Sequence, residues 1–471
     1  MELGIGLTKI IPPIVYAVAI IVVLLTLFYR AEIGVFYIIP LLTLQNVVEY
    51  LTKYPGGKDI MDILFLVVLM KWFFTRDKSD TIMKSNKNLN YIILAIFIWT
   101  FIGLWIGSFQ LGTGQPITTN NPRFMHWKNF IMLPLLYFIV ATNIKDTKHV
   151  KWILLLMAIT MLYMDRSFYN NFMDKDTSHY DKDLRVGSTF SYLGPNETAV
   201  FYAQNTIIMV CILLTRKDFW NKLIYGLTTG FNYFCLIFLY SRGGYMAALA
   251  SLMFYSFIKN RVLLGILVIF LVFWRVFVPT SVQERIDMSK TDKGTDHSIT
   301  ARYELWEEAK ILILANPVTG MGYATTPYLH FTTDGTQKRK SLHNGYIEVT
   351  LELGIIGMII FLAFYAMSFS YGWKLYKTTK DPVLKGYGLG FMGCVLAVLA
   401  GNIAGSYFFY INVSGYYWVN LGLIARTIEL EKNSNNKEDK PEEEKVKVRP
   451  RSLKKELRPR RITEHKLMGN D

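Results

Sequence analysis

Apolar residues in this chain gather into blocks close to membrane-span length, and charged residues sit almost entirely between the blocks. A helix crossing a bilayer needs about 20 mainly apolar residues. Thirteen candidate spans follow, from 10–28 and 33–50 at the start to 386–405 and 408–426 at the end. Lipid offers the backbone no hydrogen bonds, and the alternation of a membrane strand is absent, so helices are expected throughout. The predicted fold class is all-α: a polytopic membrane protein of about 12–14 transmembrane helices with a structured extracytoplasmic loop. Composition alone would not decide this, because 52% hydrophobic residues lies close to the soluble norm of about 45–50%. The arrangement excludes a soluble enzyme with a polar shell.

Lysine and arginine orient the helices. Short loops holding Lys145 and Lys148, Arg216 and Lys217, and Lys374 and Lys377 alternate consistently if they and the C-terminus face the cytoplasm. The formal charge of +15 is then mostly this bias, and no nucleic-acid partner is expected. Cys211, Cys235 and Cys394 lie inside apolar blocks without paired spacing, which argues against a disulfide framework. Residues 1–428 read as the membrane domain. Residues 429–471, with Glu442 to Glu444 followed by a basic run, read as a disordered charged cytoplasmic tail. The opposite side receives two long segments, 165–196 and 280–342. The second holds an amphipathic stretch, Ile299 to Ala315, and a turn-rich stretch, Asn316 to Tyr323, so function is sought there.

Four features on that side could carry chemistry. Ser241-Arg242-Gly243-Gly244 puts an arginine at the membrane face, where it can snorkel or meet a ligand, with glycines allowing close approach. Arg302 and Trp306 share a helix face ahead of Asn316-Pro317 and Gly320-Met321-Gly322; a lone Gly-x-Gly is weak evidence for phosphate binding. His343-Asn344 lies where the loop enters a span, followed by Glu348 and Glu352 one turn apart, which either orient the histidine or cap the helix dipole. Gly354 and Gly357 read as helix-packing positions. Arg185 and the Gly194-Pro195-Asn196-Glu197 turn close the 165–196 segment, which is acidic enough to be a solvated loop. Two arginines and a histidine on one face match the needs of a lipid-linked diphosphate: guanidinium forks bind phosphate oxygens, and an imidazole accepts a hydroxyl proton. No metal motif appears in these loops, and neither metal nor cofactor is expected.

The pattern His343-Asn344, nine residues, Gly354-x-x-Gly357 resembles the signature of the bacterial O-antigen ligase and O-antigen polymerase-related family. The stretch Ala301-Arg302…Trp306…Asn316-Pro317…Gly320-x-Gly322 and the Ser241-Arg242-Gly243 turn are similar to the upstream parts of the same domain, and the likeness covers roughly 190–425. The resemblance implies an inverting, metal-independent glycosyltransferase of the bacterial cytoplasmic membrane. It would move a glycan from an undecaprenyl-diphosphate donor to a hydroxyl of a glycan, lipid or protein on the extracytoplasmic face. Family-implied functional residues are Arg242, Arg302 and His343, with Asn344, Trp306, Arg185 and Glu348 as further substrate-binding candidates. Repeat-unit polymerase activity is the alternative within the family, and a lipid-linked sugar transporter or flippase the alternative outside it. The chain departs from the ligases in having thirteen rather than twelve expected spans, a long tail, and Met358 where a small or hydroxyl residue commonly follows the second glycine.

Overall fold

In the computed structural model, the described residues are 11–438, apart from 76–81, 119, 191–192, 289, 292–293, 296, 334–335 and 339–340. Helices dominate. The first part of the chain contains α1 (Ile11–Phe28), α2 (Ala31–Leu41), α3 (Gln45–Leu51), α4 (Ile60–Thr75), the single turn α5 (Ile82–Ser85), α6 (Lys87–Gln110) and α7 (Pro122–Asn143). Next come α8 (Thr147–Phe172), α9 (Pro195–Leu213), α10 (Phe219–Phe238), α11 (Arg242–Lys259) and α12 (Arg261–Phe277). The 280–342 segment holds α13 (Thr280–Asp287), α14 (His297–Ala315) and two small antiparallel hairpins, Lys290–Thr291 with Gly294–Thr295 and Phe331–Thr333 with Thr336–Lys338. The chain continues as α15 (Gly345–Thr378), α16 (Pro382–Ala404) and α17 (Ile411–Glu438).

Polar residues between the apolar blocks start the helices. Asn121 accepts hydrogen bonds from the N–H groups of Arg123 (2.9 Å) and Phe124 (3.3 Å) ahead of α7, and Asp381 does the same for Val383 and Leu384 ahead of α16. Each precedes a proline at the first helical position, where the missing N–H costs nothing. At the centre, α9 and α15 pack on α16. Glycine makes this possible: a Cβ at Gly390 would lie 2.7 Å from Ile208 Cα, and one at Gly388 2.8 Å from the Tyr376 nitrogen.

The all-α, multi-pass membrane architecture stands, but fewer helices than expected meet the length and apolarity of a span. Five do so among the described residues: α1, α6, α7, α15 and α16. The bent pairs α2–α3 (108°) and α12–α13 (105°) raise the number to seven, against the 12–14 anticipated. Length and burial are the physical reasons: α4 has 16 residues and α12 has 17, each under the 18 of a span. Helices enclosed by other helices carry polar groups that a lipid-facing span could not, such as Gln204, Asn205 and Thr206 in α9 and Thr228 and Asn232 in α10, all buried.

Two segment boundaries also move. Helix α8 runs on to Phe172, so residues 165–172, read as loop, are helical and Asp165 is buried. The 280–342 segment is structured, with a small core of its own in which Leu305, Ala309, Met321, Phe331 and Leu342 pack with Leu351 of α15. The chain divides into units Met1–Glu431 and Lys432–Asp471. The tail, read as disordered from residue 429, is instead helical as far as Glu438, as the last turns of α17 with Glu429 buried; the expectation for 439–471 lies outside the described residues.

Candidate active site

The site is built on a break in α15. At Gly354 the backbone turns left-handed (φ 65°, ψ −168°), which frees the carbonyls of the preceding turn. The segment after α14 takes them up: the Met321 N–H donates to Leu351 (2.7 Å) and the Gly322 N–H to Glu352 (2.9 Å). Trp99 donates its ring N–H to Leu353 (2.9 Å), and the Ile355 N–H reaches Pro317 (2.9 Å). Gly320 and Tyr323 spend their N–H groups on Asn316 (3.0 Å) and Gly103 (2.8 Å). Every N–H from 320 to 323 is therefore used internally, so Gly320-x-Gly322 is a docking element and does not cradle phosphate. A Cβ at Gly322 would lie 2.1 Å from the Gly107 nitrogen, and one at Gly354 2.1 Å from the Val318 oxygen. Gly354 is thus the break itself and not a helix-packing position.

Two buried charges lock this junction. The Glu352 carboxylate accepts from the N–H groups of Ala324 (2.9 Å) and Thr326 (3.1 Å). Arg123 donates to the Tyr323 carbonyl (2.6 Å), the Leu104 carbonyl (3.0 Å) and the Ser108 hydroxyl (3.0 Å). Glu352 is therefore a clamp on the turn and does not orient the histidine.

His343 sits immediately before this helix. Asn344 caps α15, its side-chain oxygen accepting from Tyr346 (3.0 Å) and Ile347 (3.2 Å), so that oxygen is committed to structure. Trp306 likewise binds the chain: its indole N–H donates to the Leu342 carbonyl (2.8 Å), fixing the residue before His343. His343 is exposed at the surface. Desolvation first, then the charge of Arg302, holds its pKa below the ordinary imidazole value. Its backbone is left-handed (φ 49°), a conformation shared among described non-glycine residues only by Tyr240 (φ 51°) and Ala324 (φ 55°). Each costs on the order of 1–3 kcal/mol and persists only where its surroundings over-determine it. Here each stands at one of the motifs: before Ser241-Arg242, after Gly322-Tyr323, and at His343.

One turn, 402–407, joins the separate motifs, and the sequence reading did not single it out. The Gly345 N–H donates to the Gly405 carbonyl (2.8 Å), tying the start of α15 to the end of α16. Arg242, the first residue of α11, is brought to the same end of α16 by Gly243, whose Cβ would lie 2.7 Å from Ala404 Cβ. Glu348 lies in the first turn of α15, one turn after the Gly345 N–H that binds Gly405. Arg185 donates to Asn196 (2.7 Å) and keeps a buried Nε without a hydrogen-bond partner. The charges of Arg302, Arg185 and Glu197 all reach Tyr407. His343, Arg302, Arg185, Arg242 and Glu348 thus collect around one short turn, while Asn344 and Trp306 support it from the side. The signal that could have exposed Tyr407 was weak, a tyrosine among aromatics after Gly405. Among the described residues no group of three or more His, Cys, Asp or Glu side chains is placed to hold a metal ion.

These features define a multi-pass α-helical membrane protein whose loop module docks on a broken helix and gathers arginines beside a histidine. Residues 227–362 match the family model described as O-Antigen ligase, Wzy_C, so this part of the chain is similar to that domain. The match contains Arg242, Arg302 and His343, and leaves Arg185, Glu197 and Tyr407 outside it. No curated protein matches the chain.

Proposed function

We propose that this protein transfers a glycan from an undecaprenyl-diphosphate donor to an acceptor hydroxyl at the extracytoplasmic face of the bacterial cytoplasmic membrane, with inversion and without a metal. Arg242 and Arg302 grip the diphosphate, and Arg185 adds a third positive charge. His343 accepts the proton of the acceptor hydroxyl as that oxygen attacks the anomeric carbon, and the diphosphate leaves with the electron pair of the broken bond. The observation that carries this reading is the meeting of His343 and the arginines around the 402–407 turn. A histidine with a lowered pKa is neutral near pH 7 and ready to accept a proton. Guanidinium groups supply the charge that a departing diphosphate requires.

The test is transfer by membranes holding His343→Ala or Arg302→Ala in place of the wild-type protein. Both should lose transfer of lipid-linked glycan, and wild-type rates in both would end the assignment. A polymerase is told from a ligase by the surface glycan of a deletion strain: single repeats indicate the former, loss of attachment the latter. A transporter would need a membrane, whereas a transferase joins glycan to acceptor in detergent.

A further inference from the structure

Tyr407 lies on the turn between α16 and α17, outside the matched domain, and its backbone is fixed from both sides. Its N–H donates to the Asn402 side-chain oxygen (3.0 Å), and its carbonyl accepts from the Ser414 hydroxyl (2.8 Å). The phenol end of the ring lies over Gly405, where a Cβ would come within 2.3 Å of the hydroxyl oxygen and 2.2 Å of Cζ. Gly405 is the residue whose carbonyl holds Gly345, two positions after His343. The missing side chain at 405 is thus what lets a hydroxyl sit beside the start of α15. Gly405 has extended backbone (φ −165°, ψ 178°), so no conformational demand explains the glycine there; the close approach of the phenol does. The charges of Arg302, from the 280–342 module, and of Arg185, from the 165–196 segment, act on this phenol.

A buried phenol seated on the turn that holds the start of α15, within the field of two arginines, is an unusual place for a tyrosine that only packs. Resting on the transferase reading above, we infer that Tyr407 is a substrate-contacting residue that donates a hydrogen bond to the diphosphate oxygen leaving the sugar. Burial, and then the neighbouring carboxylate of Glu197, keep the phenol protonated, so it acts as a donor and gives up no proton. In the step, the bond from the anomeric carbon to the diphosphate oxygen breaks and its electron pair stays on that oxygen. The acceptor oxygen bonds to the same carbon, and its proton passes to His343. The Tyr407 hydrogen bond strengthens as charge develops on the leaving oxygen, and Arg302 and Arg185 share that charge.

The experiment uses the full chain purified in detergent, with lipid-linked glycan extracted from the host strain as donor and release of undecaprenyl diphosphate as readout. Tyr407→Phe keeps the ring on Gly405 and removes only the hydroxyl. It should lower kcat by about 10- to 100-fold, with the donor KM changed by less than about 3-fold and thermal unfolding unchanged. Gly405→Ala displaces the hydroxyl without removing it and should show a comparable fall in kcat. Wild-type kcat for Tyr407→Phe, beside an inactive Arg302→Ala, overturns the role of Tyr407 alone. A fall in unfolding temperature that accounts for the whole loss in Tyr407→Phe also overturns it. Failure of the wild-type protein to release undecaprenyl diphosphate overturns the transferase reading and this inference with it.

Discussion

Glu352→Gln tests how the loop module is attached to the membrane helices. The carboxylate holds two backbone donors, Ala324 and Thr326, at 2.9 and 3.1 Å from its two oxygens. Glutamine keeps one acceptor oxygen and turns an N–H₂ toward the other donor. One charge-assisted hydrogen bond is lost, worth about 1.5–3 kcal/mol, and a buried N–H is left unpaired at about 1–3 kcal/mol. The buried Arg123 also loses the neighbouring negative charge that offsets its desolvation. These contributions overlap, because the unpaired N–H is part of the lost bond. The net loss should be about 3 kcal/mol, and it falls on the junction more than on the helices beneath. Equilibrium denaturation of the purified chain should show the loss, and limited proteolysis should open the 280–342 module first. Denaturation and cleavage within about 0.5 kcal/mol of wild type, the scale of an ordinary surface substitution, would refute the clamp.

Gly322→Ala drives a Cβ to 2.1 Å from the Gly107 backbone at a φ of 102° that alanine avoids, so the variant should lose the folded junction and activity together, read by proteolysis and glycan transfer. Trp306→Phe removes the hydrogen bond to the Leu342 carbonyl and keeps the ring packing; kcat should fall by about 10-fold as His343 loosens, with donor KM little changed. The pH profile of kcat/KM should rise with pH through a midpoint below about 6.5 and stay flat above it, because a lowered pKa leaves His343 neutral over that range. In Arg302→Met, whatever activity remains should titrate at higher pH, since removing a positive charge makes the imidazolium easier to form.

Much of this architecture was legible because membrane physics writes itself into blocks. Apolar runs marked helices, while the caps Asn121 and Asp381 that start α7 and α16 went unread. The stretch Ile299 to Ala315 lies within α14 (His297–Ala315). The span count was not legible, since polar residues such as Gln204 and Asn232 are tolerated only where other helices cover them, a fact of tertiary packing. The same limit hid the meaning of Gly354. A glycine in an apolar run reads as a packing position, and only the docked segment from Pro317 to Tyr323 reveals a break. Asn344 and Trp306 carried a pattern, and only the structure shows that their side chains also cap α15 and hold the Leu342 carbonyl. Tyr407 carried only a weak signal, a tyrosine among aromatics after Gly405. Its surroundings are set by chain that is remote in sequence: Gly405 binds Gly345, 60 residues away, and the charge of Arg302 acts on the phenol from farther still.

The central claim is glycan transfer by His343 and the arginines, and purified protein in detergent tests it most directly. With lipid-linked glycan from the host strain and no membrane gradient, the wild-type chain should release undecaprenyl diphosphate. His343→Ala and Arg302→Ala should each be slower by at least about 100-fold. Release at the wild-type rate by both variants would contradict the account.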